Sequence, residues 1–533
     1  MEILSIENLK FRYPKSEEWV LDGLSLNIKQ GEFVVLSGST GCGKTTLFKL
    51  IKKELTPAGE ESGKVFFRGK AKEEITLRES AEGIGFVMQD PENQIVTEKV
   101  LRELSFYMEN LGYDPAVIAA RVGELSNYFG ITPWITKDTF HLSGGQKQLL
   151  TLASVMTVFP DLLILDEPTS RLDPIAAGEF IATLKRLNTE LGITVLLCEH
   201  RLEEVLPIAD KFAYMESGKI SFFGEPREVC RALAERGTAE FLPAATKIWF
   251  SAGKKGDAPL SVKEGKQYVR DHFPEKELPK QQAEKGQELL KMTNVWFRYE
   301  KEEADVLRGA DATVYQNEIF CLVGGNGSGK STVIKLLARL KKPYRGKVLI
   351  GGKNVRKLKK EELYKNNLSY LPQDPTLLFV RDTVGDDLGE EGKKLAEERG
   401  LNNLLSLHPH DLSGGEIQKC ALIKLLTAKP KILLLDEPTK GLDAAAKKEL
   451  TLELKKLKET LTVVVVTHDV EFAAGVCDRC ALLFGGEILP PAHPQSFFTE
   501  NYFYTTSASR IARGVLNGAA TVEQIVSCYD AES

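Results

Sequence analysis

The first limits on this sequence come from what it lacks. It has no long apolar run. The stretch from Leu461 to Val466, typical of its longest, falls far short of the ~20 residues that cross a bilayer. Met1 to Pro14 shows no basic-then-apolar leader. These absences predict a soluble, cytosolic chain. Positive charge is not in excess either. Lys+Arg 70 against Asp+Glu 75 gives a formal net charge of -5, which removes any global case for nucleic-acid binding and leaves room only for local basic patches. Eight cysteines scattered over 533 residues make no disulfide framework. The one close pair, Cys477 and Cys480, has no second CxxC and no histidine beside it, so it reads as reduced structural thiols rather than a zinc site. What is present is 42% hydrophobic and 27% charged residues, enough apolar material for several buried cores. At roughly 150 residues per domain, the length predicts three or four structural units.

The chain repeats itself, and a repeat governs every later step. Ile6 to Pro14 (IENLKFRYP) returns as Met292 to Glu300 (MTNVWFRYE), and GSTGCGKTT at Gly38 returns as GGNGSGKST at Gly324. Tyr13 to Tyr299 and Lys44 to Lys330 are both separated by 286 positions, whereas Ser143 to Ser413 and Asp166 to Asp436 are separated by 270. The second copy therefore has a shorter middle: Gln89 and Ser143 lie 54 apart, Gln373 and Ser413 only 40. The expected organisation is a first domain over 1–250, a linker over 251–286 marked by Pro259, Pro274 and Pro279 without a sustained helical stripe, a second domain over 287–494 and a tail over 495–533. A weak echo links Tyr504 to Ile511 with Phe241 to Ile248, so both copies can end in a similar short extension.

In each copy an apolar strand leads through a glycine loop into a helix, the context in which GxxxxGK[ST] becomes a phosphate cradle. Glycines let successive backbone N–H groups converge on phosphate oxygens, and the helix adds its positive end. The loop residues are Gly38, Ser39, Thr40, Gly41, Cys42, Gly43, Lys44, Thr45 and Thr46 in the first copy. In the second they are Gly324, Gly325, Asn326, Gly327, Ser328, Gly329, Lys330, Ser331 and Thr332. The lysines are placed to reach the outer phosphates, and the Thr45 and Ser331 hydroxyls to hold Mg2+. A second buried strand ends in Asp166-Glu167 and, in the repeat, Asp436-Glu437. The carboxyl ends of parallel strands share one crevice, so the aspartates can meet the metal while Glu167 and Glu437 orient or deprotonate the attacking water. His200 and His468 follow further apolar strands, where an imidazole can bond the terminal phosphate.

These residues resemble the ATP-binding cassette (ABC) ATPases over nearly the whole chain. The decisive motif is LSGGQ at Leu142 to Gln146, repeated as LSGGE at Leu412 to Glu416. The resemblance implies an α/β chain of two tandem P-loop domains. Each has a RecA-like core, an antiparallel β subdomain and a helical subdomain, the last at roughly Asp90 to Ser143 and Asp374 to Ser413. It implies that Tyr13 and Tyr299 stack on adenine, that Gln89 and Gln373 contact Mg2+ and relay nucleotide state, and that the two copies form an intramolecular dimer with ATP and Mg2+ as cofactors. Ser143, Gly144 and Gly145 would then serve the nucleotide of the second copy, and Ser413, Gly414 and Gly415 that of the first. Departures are mild: Glu199 stands where Thr467 stands in the repeat, and Glu416 ends the second signature.

The segment from Gln89 (QDPENQIVTEKVLRELSFYMENLG), that from Glu199 (EHRLEEVLPIADKF) and the tail from Asn501 (NYFYTTSASRIAR) look like the fused ATPases of energy-coupling-factor (ECF) vitamin and metal importers. That resemblance implies a peripheral protein on the inner face of the cell membrane. It would work with a transmembrane scaffold and a small substrate-binding membrane subunit and have no nucleic-acid partner. Two rivals share the twin-cassette layout. A ribosome-binding translation factor of the ABC-F type typically carries a long charged helical hairpin as linker, and the fused ATPase of a sugar importer commonly loses catalytic residues in one copy. The transported substrate is not written in this chain.

Overall fold

The computed structural model describes residues 1–14, 16–283 and 285–530. The chain divides into two compact units, one of residues 1–250 with 254–261, the other of 251–253 with 262–533.

In the first unit, the apolar strand Phe33–Gly38 sits inside a six-stranded sheet. Its order is Lys219–Gly224, Lys211–Glu216, Phe33–Gly38, Thr194–Cys198, Leu162–Asp166 and Ile84–Val87. All but the outermost antiparallel pair of strands run parallel. Strand alternation divides the core: Phe33 and Val35 pack with the helical side, Val34 and Leu36 with the P-loop helix and a four-stranded antiparallel sheet. Both faces are covered, which is why these strands are continuous apolar runs rather than alternating ones. The antiparallel sheet is ordered Leu21–Lys29, Glu2–Arg12, Glu60–Phe67, Lys70–Ala71. Helices Val100–Asn110, Pro115–Tyr128 and Gly144–Met156 form the helical part.

The second unit repeats the plan with sheet order Leu368–Leu371, Ile432–Asp436, Thr462–Thr467, Ile319–Val323, Arg479–Phe484, Glu487–Ile488. Its antiparallel sheet runs Leu307–Tyr315, Glu288–Phe297, Arg345–Ile350, Lys353–Asn354. The shorter middle has a visible cause. Two short helical pieces within 384–398, meeting at a kink at Gly389 (φ 64°), stand where the first unit has helices of 11 and 14 residues.

The expectation of a linker over 251–286 without a sustained helical stripe is corrected here. Helix Val262–His272 buries Gly265, Tyr268 and Val269, and strand Lys276–Glu277 pairs in parallel with Leu516–Asn517. Phe273 lies 5.2 Å from the Tyr529 ring, so residues 262–277 belong to the second unit's fold, while 254–261 belong to the first. Its helical stripe is a single narrow line among charged residues, which left the prolines as the louder signal. In the tail, Phe497 and Phe498 are buried within the second unit while Tyr502 and Phe503 are 71% and 76% exposed. The last three residues of the tail lie outside the described ones. The echo between the two extensions is structural as well: helices Ala244–Ser251 and Ser507–Ala512 bury Ile248 and Ile511 at matching positions.

Candidate active site

In the first unit the parallel register brings strand ends together: Val87 lies beside Leu165, and Asp166 beside Cys198. Gln89, Asp166, Glu167 and His200 therefore leave adjacent strands at the same sheet edge as the glycine loop. Gly43 takes φ 105°, and a Cβ there would come within 2.9 Å of the Val20 carbonyl and the Leu21 side chain, so the loop requires glycine. Gly329 adopts the same φ of 105° in the second unit. The loop wraps its lysine. Lys44 Nζ donates to the carbonyls of Gly38 at 3.0 Å and Ser39 at 2.9 Å, and Lys330 Nζ to those of Gly324 at 2.9 Å and Gly325 at 3.0 Å.

Both glutamates sit on left-handed backbone, φ 45° at Glu167 and 50° at Glu437, a costly conformation for a residue with a Cβ that the fold maintains twice. Glu167 accepts from Gln89 Nε2 at 2.8 Å and lies 2.8 Å from His200 Nε2. Glu437 lies 2.9 Å from His468 Nδ1 and 3.6 Å from Lys330 Nζ. Burial would raise the Glu437 carboxyl, but His468 and Lys330 hold it below the usual carboxylate range. Burial pushes Asp166 up to about 6 against a hydrogen bond from Thr45, and its Oδ1 is buried without a hydrogen-bond partner. Burial also raises Asp436, which accepts from Ser331 Oγ at 2.8 Å and Tyr370 Oη at 3.4 Å. Beside the adenine candidates, Tyr13 Oη lies 3.1 Å from Thr46 Oγ1 and Tyr299 Oη 3.0 Å from Thr332 Oγ1.

Not every candidate residue joins these clusters. Gln373 is exposed, and among the described residues no hydrogen bond ties it to Glu437. Ser143 and Ser413 cap the helices Gly144–Met156 and Gly414–Thr427 and make no hydrogen bond to their own unit's P-loop among the described residues. The two caps differ. Gln146 Oε1 accepts from Ser143 N at 3.0 Å, whereas Glu416 takes both Ser413 N at 2.9 Å and the Ser413 hydroxyl at 2.6 Å.

Sequence reasoning missed two participants. Tyr370 occupies the position of Phe86, a change invisible as chemistry until its hydroxyl meets Asp436. Glu199 was noted only as a departure; it is buried, its Oε1 accepts from Thr169 N at 3.0 Å, and burial pushes its carboxyl up to about 7. It thereby ties the strand carrying His200 to the turn carrying Glu167.

Two stretches, residues 21–170 and 307–440, match the family model described as ABC transporter. A protein of Bacillus thuringiensis subsp. konkukian (strain 97-27), named as an ABC transporter ATP-binding protein, is 42% identical over 536 residues, covering 98% of this chain and 97% of its own. This chain belongs to the ABC transporter family. It is an ATP-hydrolysing member with two nucleotide-binding domains, and the glycine loops and acid-tipped strands described above are the parts that the family's chemistry calls for. A Bacillus subtilis (strain 168) protein named as an HMP/thiamine import ATP-binding protein, YkoD, is 31% identical over 94% of this ABC chain and 93% of its own length. Among solved structures, cbiO1 of Clostridium perfringens, part of the ABC transporter complex cbiONQ, is 33% identical over 44% of this chain and 95% of its own, with a TM-score of 0.39. The archaeal ribosome recycling factor aABCE1 superposes over 92% of this chain and 91% of its own with a TM-score of 0.58 at 21% identity, a likeness of fold. No helix among the described residues is long and apolar enough to cross a membrane.

Proposed function

We propose that this protein is the energy-coupling ATPase of an ECF-type importer, in which ATP binding and hydrolysis drive uptake of a vitamin, vitamin precursor or metal ion through separate membrane subunits. The observation that carries the reading is near full-length similarity to a relative named for HMP/thiamine import, together with QDPENQ from Gln89 in the first copy. In this reading Lys44 and Lys330 bind phosphate, Tyr13 and Tyr299 hold the base, and Glu167 and Glu437 position and deprotonate water. His200 and His468 fix those glutamates in place.

The donor set suits Mg2+. A hydroxyl and a buried carboxylate face each other at Ser331 and Asp436, and the buried Asp166 Oδ1 lacks a partner. Thr45, Gln89 and Asp166 would hold the ion in one copy and Ser331, Gln373 and Asp436 in the other, where it would neutralise phosphate charge. Glu167, already hydrogen-bonded to the His200 imidazole, loses little on ordering for the reaction.

Native purification of the tagged chain from detergent-solubilised cells, followed by mass spectrometry, tests the assignment. A polytopic membrane protein and a small hydrophobic partner should co-purify. Ribosomal proteins in their place would move the chain to translation.

A further inference from the structure

Between Lys335 and Lys365 the second copy carries 12 Lys and Arg against two Glu, whereas the same 31 positions of the first copy, Lys49 to Glu79, carry eight against six. The excess stands out against a chain whose net charge is -5. Ten of these cations, from Lys341 to Lys365, are exposed. They occupy the outer edge of the second antiparallel sheet: strand Arg345–Ile350, the turn into Lys353–Asn354, and the approach to helix Lys360–Tyr364.

The two edges treat charge in opposite ways. In the first copy five of the eight cations form ion pairs among the described residues, Lys72 with Glu61 at 2.6 Å and Lys70 with Glu79 at 2.7 Å among them. In the second, among the described residues, no ion pair involves any cation of the stretch. Glu362, one of its two acids, is engaged by the backbone N–H of Lys359 at 3.0 Å as part of a helix cap. Ten exposed like charges without counter-charges repel one another, and an anionic surface relieves that repulsion.

The composition selects among anionic surfaces. Eight of the ten are lysines, mobile point charges rather than planar forks, and Arg345 already lies over the Trp296 ring at 5.7 Å. Tyr344, the exposed aromatic there, is covered by Arg298 at 4.8 Å and bonded to Asp305 at 2.9 Å, so no free ring is offered for base stacking. An array of flexible ammonium groups suits a fluid layer of phosphate headgroups. We infer that the edge from Lys341 to Lys365 is a contact surface for an anionic lipid bilayer. It rests on the importer reading, in which the ATPase works beside a membrane.

The test uses the full chain and vesicles of phosphatidylcholine with or without about 30 mol% phosphatidylglycerol. Co-sedimentation should require the anionic lipid and fade between roughly 0.1 and 0.5 M salt. The triple variant Lys353→Glu, Lys357→Glu, Lys360→Glu should bind at least about tenfold more weakly while hydrolysing ATP in solution at the unaltered rate. Equal binding to neutral vesicles, or a triple variant that binds like the parent, overturns the inference. Preference for a homopolymeric RNA over anionic vesicles overturns it in favour of a nucleic-acid face. Failure on vesicles with membrane subunits still co-purifying removes this inference alone; failure to co-purify any membrane subunit removes the importer reading itself.

Discussion

The two acid-tipped strands share a sequence pattern and differ in wiring. At the first, Glu167 is held between Gln89 and His200, and the buried Asp166 Oδ1 is left without a partner. At the second, Glu437 is shared by His468 and Lys330, and Asp436 is bonded by Ser331 and Tyr370. One difference traces to a neighbour outside the motifs, Tyr370 for Phe86, whose hydroxyl reaches Asp436; beside the sites, Thr467 stands for Glu199, and within the signature Glu416 stands for Gln146. Identical catalytic letters therefore do not make identical sites, because the ionisation and reach of a carboxylate are set by the groups around it.

The strongest blow to this comparison is Glu167→Gln set against Glu437→Gln and the pair together. If both act in proton transfer or water positioning, the double variant should lose about a hundredfold or more in steady-state ATPase rate. The single variants should differ from each other; a double variant at full turnover would remove both assignments.

A pH series separates the copies next. Burial pushes the Glu199 carboxyl up to about 7 from its ordinary 4.5, so in the folded chain it keeps its proton where the unfolded chain has already lost it. The sign follows: its contribution to stability is full below pH 4.5 and is lost as pH rises through 7. Glu199→Gln keeps an oxygen for Thr169 N and cannot ionise. Thermal melts should therefore coincide with the parent at pH near 5 and lie about 5 °C higher near pH 8. Melts that coincide at both ends would show that the carboxyl is not held protonated.

Smaller effects sharpen the picture. Tyr370→Phe removes the hydroxyl from Asp436 and makes the second acid resemble the first. The Mg2+ concentration for half-maximal ATPase should shift roughly threefold, and an unchanged titration would mean the 3.4 Å contact carries no energy. In the composite site that the resemblance implies, Glu416→Gln takes a negative charge from the N-terminus of helix Gly414–Thr427, so turnover should rise roughly twofold. A fall in turnover would assign Glu416 a supporting role.

Much of this was legible beforehand. The duplication, both glycine loops, both acid pairs and both histidines follow from strand, turn and helix patterns that local chemistry dictates, and the second middle is shorter because its helical pieces are shorter. What escaped detection depended on the third dimension. A phenylalanine-to-tyrosine change has no meaning until register sets its hydroxyl at Asp436, and Glu199 reads only as a mild departure until burial ties it to Thr169. Helix Val262–His272 was hidden because one narrow apolar line among charges carries less weight by eye than three prolines.

The parallel pairing of Lys276–Glu277 with Leu516–Asn517 joins segments about 240 positions apart. On the ribosome, the first unit's contacts are all available once residue 261 has emerged. The second unit begins with the helix at Val262 but cannot close until residues 516 and 517 have left the exit tunnel. Synthesis thus delivers one finished nucleotide-binding unit that waits while its partner remains an open fold, and chains cut before residue 516 should survive as the first unit alone.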